Sequence, residues 1–198
     1  MLTKNFEWLQ SEVSDHVKAD RVAQGSYETC FIGCLANGHD DPEFIENQYG
    51  IPFMVTRIAE SIFEGLPADK AVDFFAAIPQ AIGSDNKDLT IVGWQFLAAE
   101  LRALPPVPAD IQAVIYLVIK GMDLLAEGKE WPDATRAAWS AATYGTATAT
   151  YATYAAYAAT YATYAAADAD ACASTRLRQR DTLLRLIKEA PINTQEEN

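Results

Sequence analysis

Histidine is nearly missing from this chain, with two in 198 residues, and cysteine is scarce, with Cys30, Cys34 and Cys172. An odd cysteine count beside an opening MLTKNFEWLQSEV with no apolar signal core predicts reduced thiols rather than a disulfide framework. The expected compartment is the cytoplasm. No apolar run approaches the roughly 18 residues of a membrane span, so no membrane partner is expected. Positive charge is in deficit: 15 basic against 27 acidic residues give a net charge of −12. That balance disfavours nucleic-acid backbones as partners. The one basic concentration, Arg176, Arg178, Arg180, Arg185 and Lys188, reads as a solvated face suited to a helix C-terminus. Glycine patterns that cradle phosphates (GxGxxG, Walker A) and the GxSxG serine elbow are absent.

Alanine and tyrosine, by contrast, are concentrated. Residues 150–166 read TYATYAAYAATYATYAA, with the heptapeptide TYATYAA present twice. Tyr151, Tyr154, Tyr157, Tyr161 and Tyr164 step by 3, 3, 4 and 3, which keeps them on one helical face; a strand would need steps of two. With Tyr144 upstream, they form a ridge of rings set in the best helix-forming residue. Three readings of the ridge stand side by side. It is core, each hydroxyl needing a partner, or a self-associating face, or the lining of a pocket for a flat or polar ligand.

The remaining chain predicts helices throughout, so the fold class is all-α: a multi-helix bundle or array with a long Ala/Tyr/Thr-rich C-terminal helix. Phe6, Leu9, Val13 and Val17 predict a helix over 4–19. A second, 27–37, carries Cys30 and Cys34 one turn apart, with Gly38 as its cap. Asp41-Pro42 is a helix start, ending near Gly50. Pro52 opens a helix burying Phe53, Ile58, Ile62 and Phe63. Pro67 opens another, with Val72, Phe74, Phe75 and Ile78 apolar, stopped or kinked at Pro79. A link over 80–88 precedes a helix at 90–103 that buries Val92, Phe96, Leu97 and Leu101. The stiff LPPVP at 104–108 is the best boundary, between an N-terminal helical part, 1–104, and C-terminal helices, 108–190, expected to pack on it as one compact unit, with 191–198 a fraying tail. An apolar helix fills 109–126 and ends at Gly128. One helix over 132–190 would be about 88 Å long, more than twice the width of a compact chain of this size. A break is therefore expected within 167–175, where Asp168, Asp170 or Ser174 could cap a final helix over 173–189. That helix would bury Leu177, Leu183, Leu184 and Ile187.

Chemistry-bearing residues are few. Cys30, Cys34 and His39, spaced C-x3-C-x4-H, are the one soft-ligand set, and zinc is the metal such ligands would take, with Cys172 or His16 completing a tetrahedron. Small cysteines on an apolar helix face are also ordinary core residues, and that reading comes first. Carboxylates gather at Asp40, Asp41, Glu43 and Glu46 and at Asp168 and Asp170, where caps and solvated faces account for them.

The segment order ETCFIGCLANG, YGIPFMVTRIAESIFEGLP, FFAAIPQAIGSDNKDLTIVGWQFLAAEL, WPDATRAAW and RQRDTLLRLIKEAP resembles a family of uncharacterised bacterial and phage-borne proteins. The likeness covers most of 25–190. The alanine-rich C-terminal helix more distantly resembles immunity proteins of bacterial toxin systems. Neither resemblance implies a catalytic residue or a cofactor. The function expected is a non-enzymatic helical binding protein meeting a protein partner or itself. The alternative is a small-ligand, nucleotide-like binder with a tyrosine-lined pocket, and the third reading is a Cys/His-dependent or metal enzyme.

Overall fold

A computed structural model describes residues 1–131 and 169–193. Tyr144 and the ridge from Tyr151 to Tyr164 lie outside the described residues, as does any break between 132 and 168. Eight helices are described: α1 (Phe6–Lys18), α2 (Phe31–Leu35), α3 (Pro42–Tyr49), α4 (Phe53–Gly65), α5 (Ala68–Ile82), α6 (Val92–Arg102), α7 (Ala109–Ala126) and α8 (Ala169–Glu189). The described residues contain no strand, only two isolated bridges, Leu2 to Asp88 and Lys87 to Ile192. The fold is all-α. It divides into two compact units, Met1–Gly93 with Ala173–Asn198, and Trp94–Cys172.

In the first unit the helix starts follow from local chemistry. Asp41 accepts from the Phe44 N–H at 2.9 Å and Pro42 fills the first turn of α3. Pro52 and Pro67 stand, extended, before α4 and α5, where a missing N–H costs no ladder bond. Helix α1 is capped from a distance: Asp85 Oδ1 accepts from the Phe6 N–H at 2.8 Å. Phe31 of the short α2 is the hub of the core. Its ring lies 6.0 Å from Phe74 (stacked), 5.6 Å from Phe75 (edge-on) and 6.3 Å from Phe63. Each aromatic pair adds about 0.5–1.5 kcal/mol beyond the area it buries.

Residues 86–88 hold this unit's two chain segments together. Thr3 N–H donates to the Lys87 carbonyl at 2.9 Å and Asn86 N–H to the Thr3 carbonyl at 2.8 Å. From the other side, Asp88 N–H donates to the Pro191 carbonyl and Asn193 N–H to the Asn86 carbonyl, both at 2.8 Å. Between them Lys87 is buried. Its ammonium donates to the Ala81 carbonyl at 3.1 Å and the Lys188 carbonyl at 2.9 Å, so one cation closes the C-terminal turns of α5 and α8.

In the second unit, α6 from Trp94 onward packs on α7. Ala98 and Leu101 meet Ile115, Val118, Ile119 and Met122, and Leu104 and Val107 of the proline connector rest on the same cluster. LPPVP thus joins two helices of one unit, and the division falls at Gly93 instead. Helix α7 ends in a Schellman turn: Lys129 N–H reaches the Leu124 carbonyl, Gly128 N–H the Leu125 carbonyl, and Gly128 has φ +69°.

Five expectations are corrected. Helix α2 covers 31–35 rather than 27–37, because Thr29 and Cys30 N–H groups turn back onto the Ser26 carbonyl. Of the stop or kink expected at Pro79 the stop does not occur: α5 runs on to Ile82, and the buried proline lies in its last turn, where it removes a single ladder bond. Phe53 is not core; it is exposed beneath the Arg57 guanidinium, 5.7 Å away. Residues 169–175 are helical, so the final helix is already under way before the expected start at 173. The buried face of α8 is Arg176, Gln179, Leu183, Leu186 and Ile187, with Ala190 buried just beyond its end, whereas Leu177 and Leu184 are half-buried.

Candidate functional site

Where the sequence points to chemistry, at Cys30 and Cys34, the structure builds a joint between helices. Cys30 is the N-cap of α2: its sulfur accepts from the Gly33 N–H at 3.4 Å, and its S–H points to the Tyr27 carbonyl at 3.7 Å. Glu60 of α4 accepts from the next free donor, the Ile32 N–H, at 3.0 Å. One turn further along α4, Glu64 accepts from the Gly25 N–H at 3.0 Å. Beside it Gln24 donates its amide to the Phe63 and Leu66 carbonyls. The turn 24–30 and α2 are thereby bound to α4. Gly33 is obligatory here, since a Cβ would sit 1.8 Å from the Tyr27 carbonyl oxygen.

The Cys30 sulfur and an oxygen from each of Glu60 and Glu64 lie within 4.8 Å of one another, a separation that a divalent cation tolerates. Each group, however, already accepts a backbone N–H: Cys30 from Gly33, Glu60 from Ile32 and Glu64 from Gly25. The residues fit a cap better than a zinc site. Cys34 is apart from this set, its S–H donating to the Thr29 carbonyl at 3.3 Å. His39 does not join either: Asn37 and Gly38, at φ 56° and 83°, turn the chain outward and leave it exposed. The alternative Cys30–Cys34–His39 ligand set is therefore not gathered, and both cysteines are buried.

The thiols are also poor nucleophiles. Burial first, then the neighbouring Glu60 carboxylate, pushes Cys30 up to about 11. Burial and the adjoining Cys30 push Cys34 up to about 12. Both are thiols near neutral pH, and the thiolate is the reactive form. Glu60 is itself raised above the usual carboxylate range by burial. Of the two histidines, His16 pairs with Glu12 along α1 at 3.2 Å. The carboxylates at 40–46 separate into tasks: Asp41 caps α3, and Asp40 holds Arg57 at 2.8 Å on the surface.

Two surface features were not foreseen. In the second unit a groove of about 350 Å³ runs between α6 and α7, floored by Leu101, Leu104 and Ile119. Tyr116 stands over it 64% exposed, with Lys120 and the Arg102–Asp123 ion pair at the rim. In the first unit a hollow of about 430 Å³ opens at the start of α1, lined by Phe6, Glu7, Trp8, Ser84 and Asp85. The sequence holds one signal for the Glu60–Glu64 pair, two carboxylates four positions apart on a helix otherwise rich in apolar residues. It holds none for the hollow, whose halves are nearly eighty positions apart. Among the described residues no helix is long and apolar enough to cross a membrane. No protein-family model, curated protein or solved structure matches the chain.

Proposed function

We propose that this chain is a non-enzymatic helical binding protein that engages a protein partner, a second copy of itself included. On this reading it works in the cytoplasm and needs no cofactor. The observation that carries the reading is Tyr116, an aromatic ring held 64% in water above an apolar floor. Tyrosine, tryptophan and arginine are the side chains that most often anchor interfaces, and a groove with an apolar floor and charged rim suits one. The tyrosine-pocket alternative concerns residues outside the described ones, and no described feature favours it.

Light scattering over a concentration series, together with capture on immobilised protein, tests the proposal with wild type beside Tyr116→Ala. Tyr116→Ala should weaken association roughly tenfold while leaving the thermal midpoint almost unchanged, as exposed substitutions do. A strict monomer that retains no protein in mild salt would remove the reading.

A further inference from the structure

The hollow at the start of α1 combines features that a neutral surface dimple lacks. Trp8 is 53% exposed, yet its ring is fixed edge-on against Tyr49, with centroids 6.2 Å apart. Asp85 is fixed too, because one carboxylate oxygen accepts the Phe6 N–H at 2.8 Å. Glu7, in the first turn of α1, supplies a second carboxylate, and no lysine or arginine lines the cavity. A helix start carries roughly half a positive charge, which two carboxylates outweigh. An aromatic face beside two carboxylates is the chemistry that binds ammonium and guanidinium groups.

We propose that this hollow receives an arginine or lysine side chain projecting from a basic segment of a partner protein. A macromolecular occupant is favoured over a free small cation on two grounds. Asn5, Glu7, Trp8 and Asp85 along the hollow are all exposed, so it grips a projecting side chain rather than enclosing a whole ligand. The chain's net charge of −12 also gives a long-range field that steers a basic surface toward it and repels nucleic acid. Because Trp8 and Asp85 are already held in place, little ordering is required on binding. This site is separate from the Tyr116 groove and stands or falls independently of it.

The test is a fluorescence-anisotropy titration of a labelled peptide of alternating arginine and glycine against the full chain in low salt. Trp8→Ala and the pair Glu7→Gln/Asp85→Asn should each weaken binding roughly tenfold. The asparagine keeps an acceptor for the Phe6 N–H, so the pair spares the cap, and circular dichroism checks the fold of both variants. The matched pair Glu43→Gln/Glu130→Gln removes the same charge at exposed positions elsewhere and should bind as wild type. Absence of binding, equal weakening by both charge pairs, or wild-type binding by a folded Trp8→Ala would each overturn the proposal.

Discussion

At position 33 there is no room for a methyl group. A Cβ there would meet the Tyr27 carbonyl, part of a backbone turn that cannot step aside. Gly33→Ala should therefore cost at least about 2 kcal/mol, read as a lowered denaturant midpoint. The neighbouring thiols give a pH dependence. Folding raises Cys30 and Cys34 from about 9 to about 11 and about 12, so the unfolded chain loses these protons first as pH rises. Their stabilisation is full below about pH 9 and falls away between there and about 12. At about 1.4 kcal/mol per pKa unit the two thiols together give a loss on the order of 7 kcal/mol at most. Urea titrations at several alkaline pH values should show a falling midpoint, with a shallower slope in Cys34→Ala. The pairing of these cysteines with a helix was legible at 3–4 spacing. Their partners were not, because Glu60 and Glu64 arrive from another helix.

Helix starts at Asp41-Pro42, Pro52 and Pro67 were readable because each depends on one or two adjacent residues. Helix faces were harder. In α8 the buried stripe includes Arg176 and Gln179, joined by a 3.1 Å hydrogen bond, and an apolar pattern passes over both. The apolar pattern puts Leu184 in the core, whereas Leu186 is the buried residue and Leu184 is half-buried. The joint between α5 and α8 was equally hidden, since a lysine in a polar loop gives no sign of burial. Burial and the nearby Lys188 charge hold the Lys87 ammonium below its ordinary value. Its attachment nonetheless comes from two carbonyls that would otherwise lose their donor. Lys87→Met should cost about 1–3 kcal/mol in thermal or urea unfolding. As pH rises toward the ordinary lysine value the wild-type penalty for burying this charge eases, because the folded protein releases the proton before the unfolded chain does.

On the scale of the molecule, all-α architecture was legible and the division into units was not. Proline-rich LPPVP looks like a linker, but its Leu104 and Val107 belong to the α6–α7 cluster. The actual division depends on residues 86–88 pairing with residues near 3 and 191–193, contacts that no local pattern announces. A chain ending at Ala190 loses the bonds to Pro191 and Asn193. It should unfold with a stability lower by about 1–3 kcal/mol, measured by calorimetry against the full chain.

That first unit is discontinuous in sequence, with about 80 residues between Gly93 and Ala173. On the ribosome, at about 5–20 residues per second, α1–α5 are complete roughly 4–16 s before α8 begins to emerge. Throughout that interval the surfaces awaiting Leu183 and Ile187 have no cover, and closing so long a loop is slow for topological reasons. Nascent chains of this protein should be held by chaperones in that window and released as α8 appears.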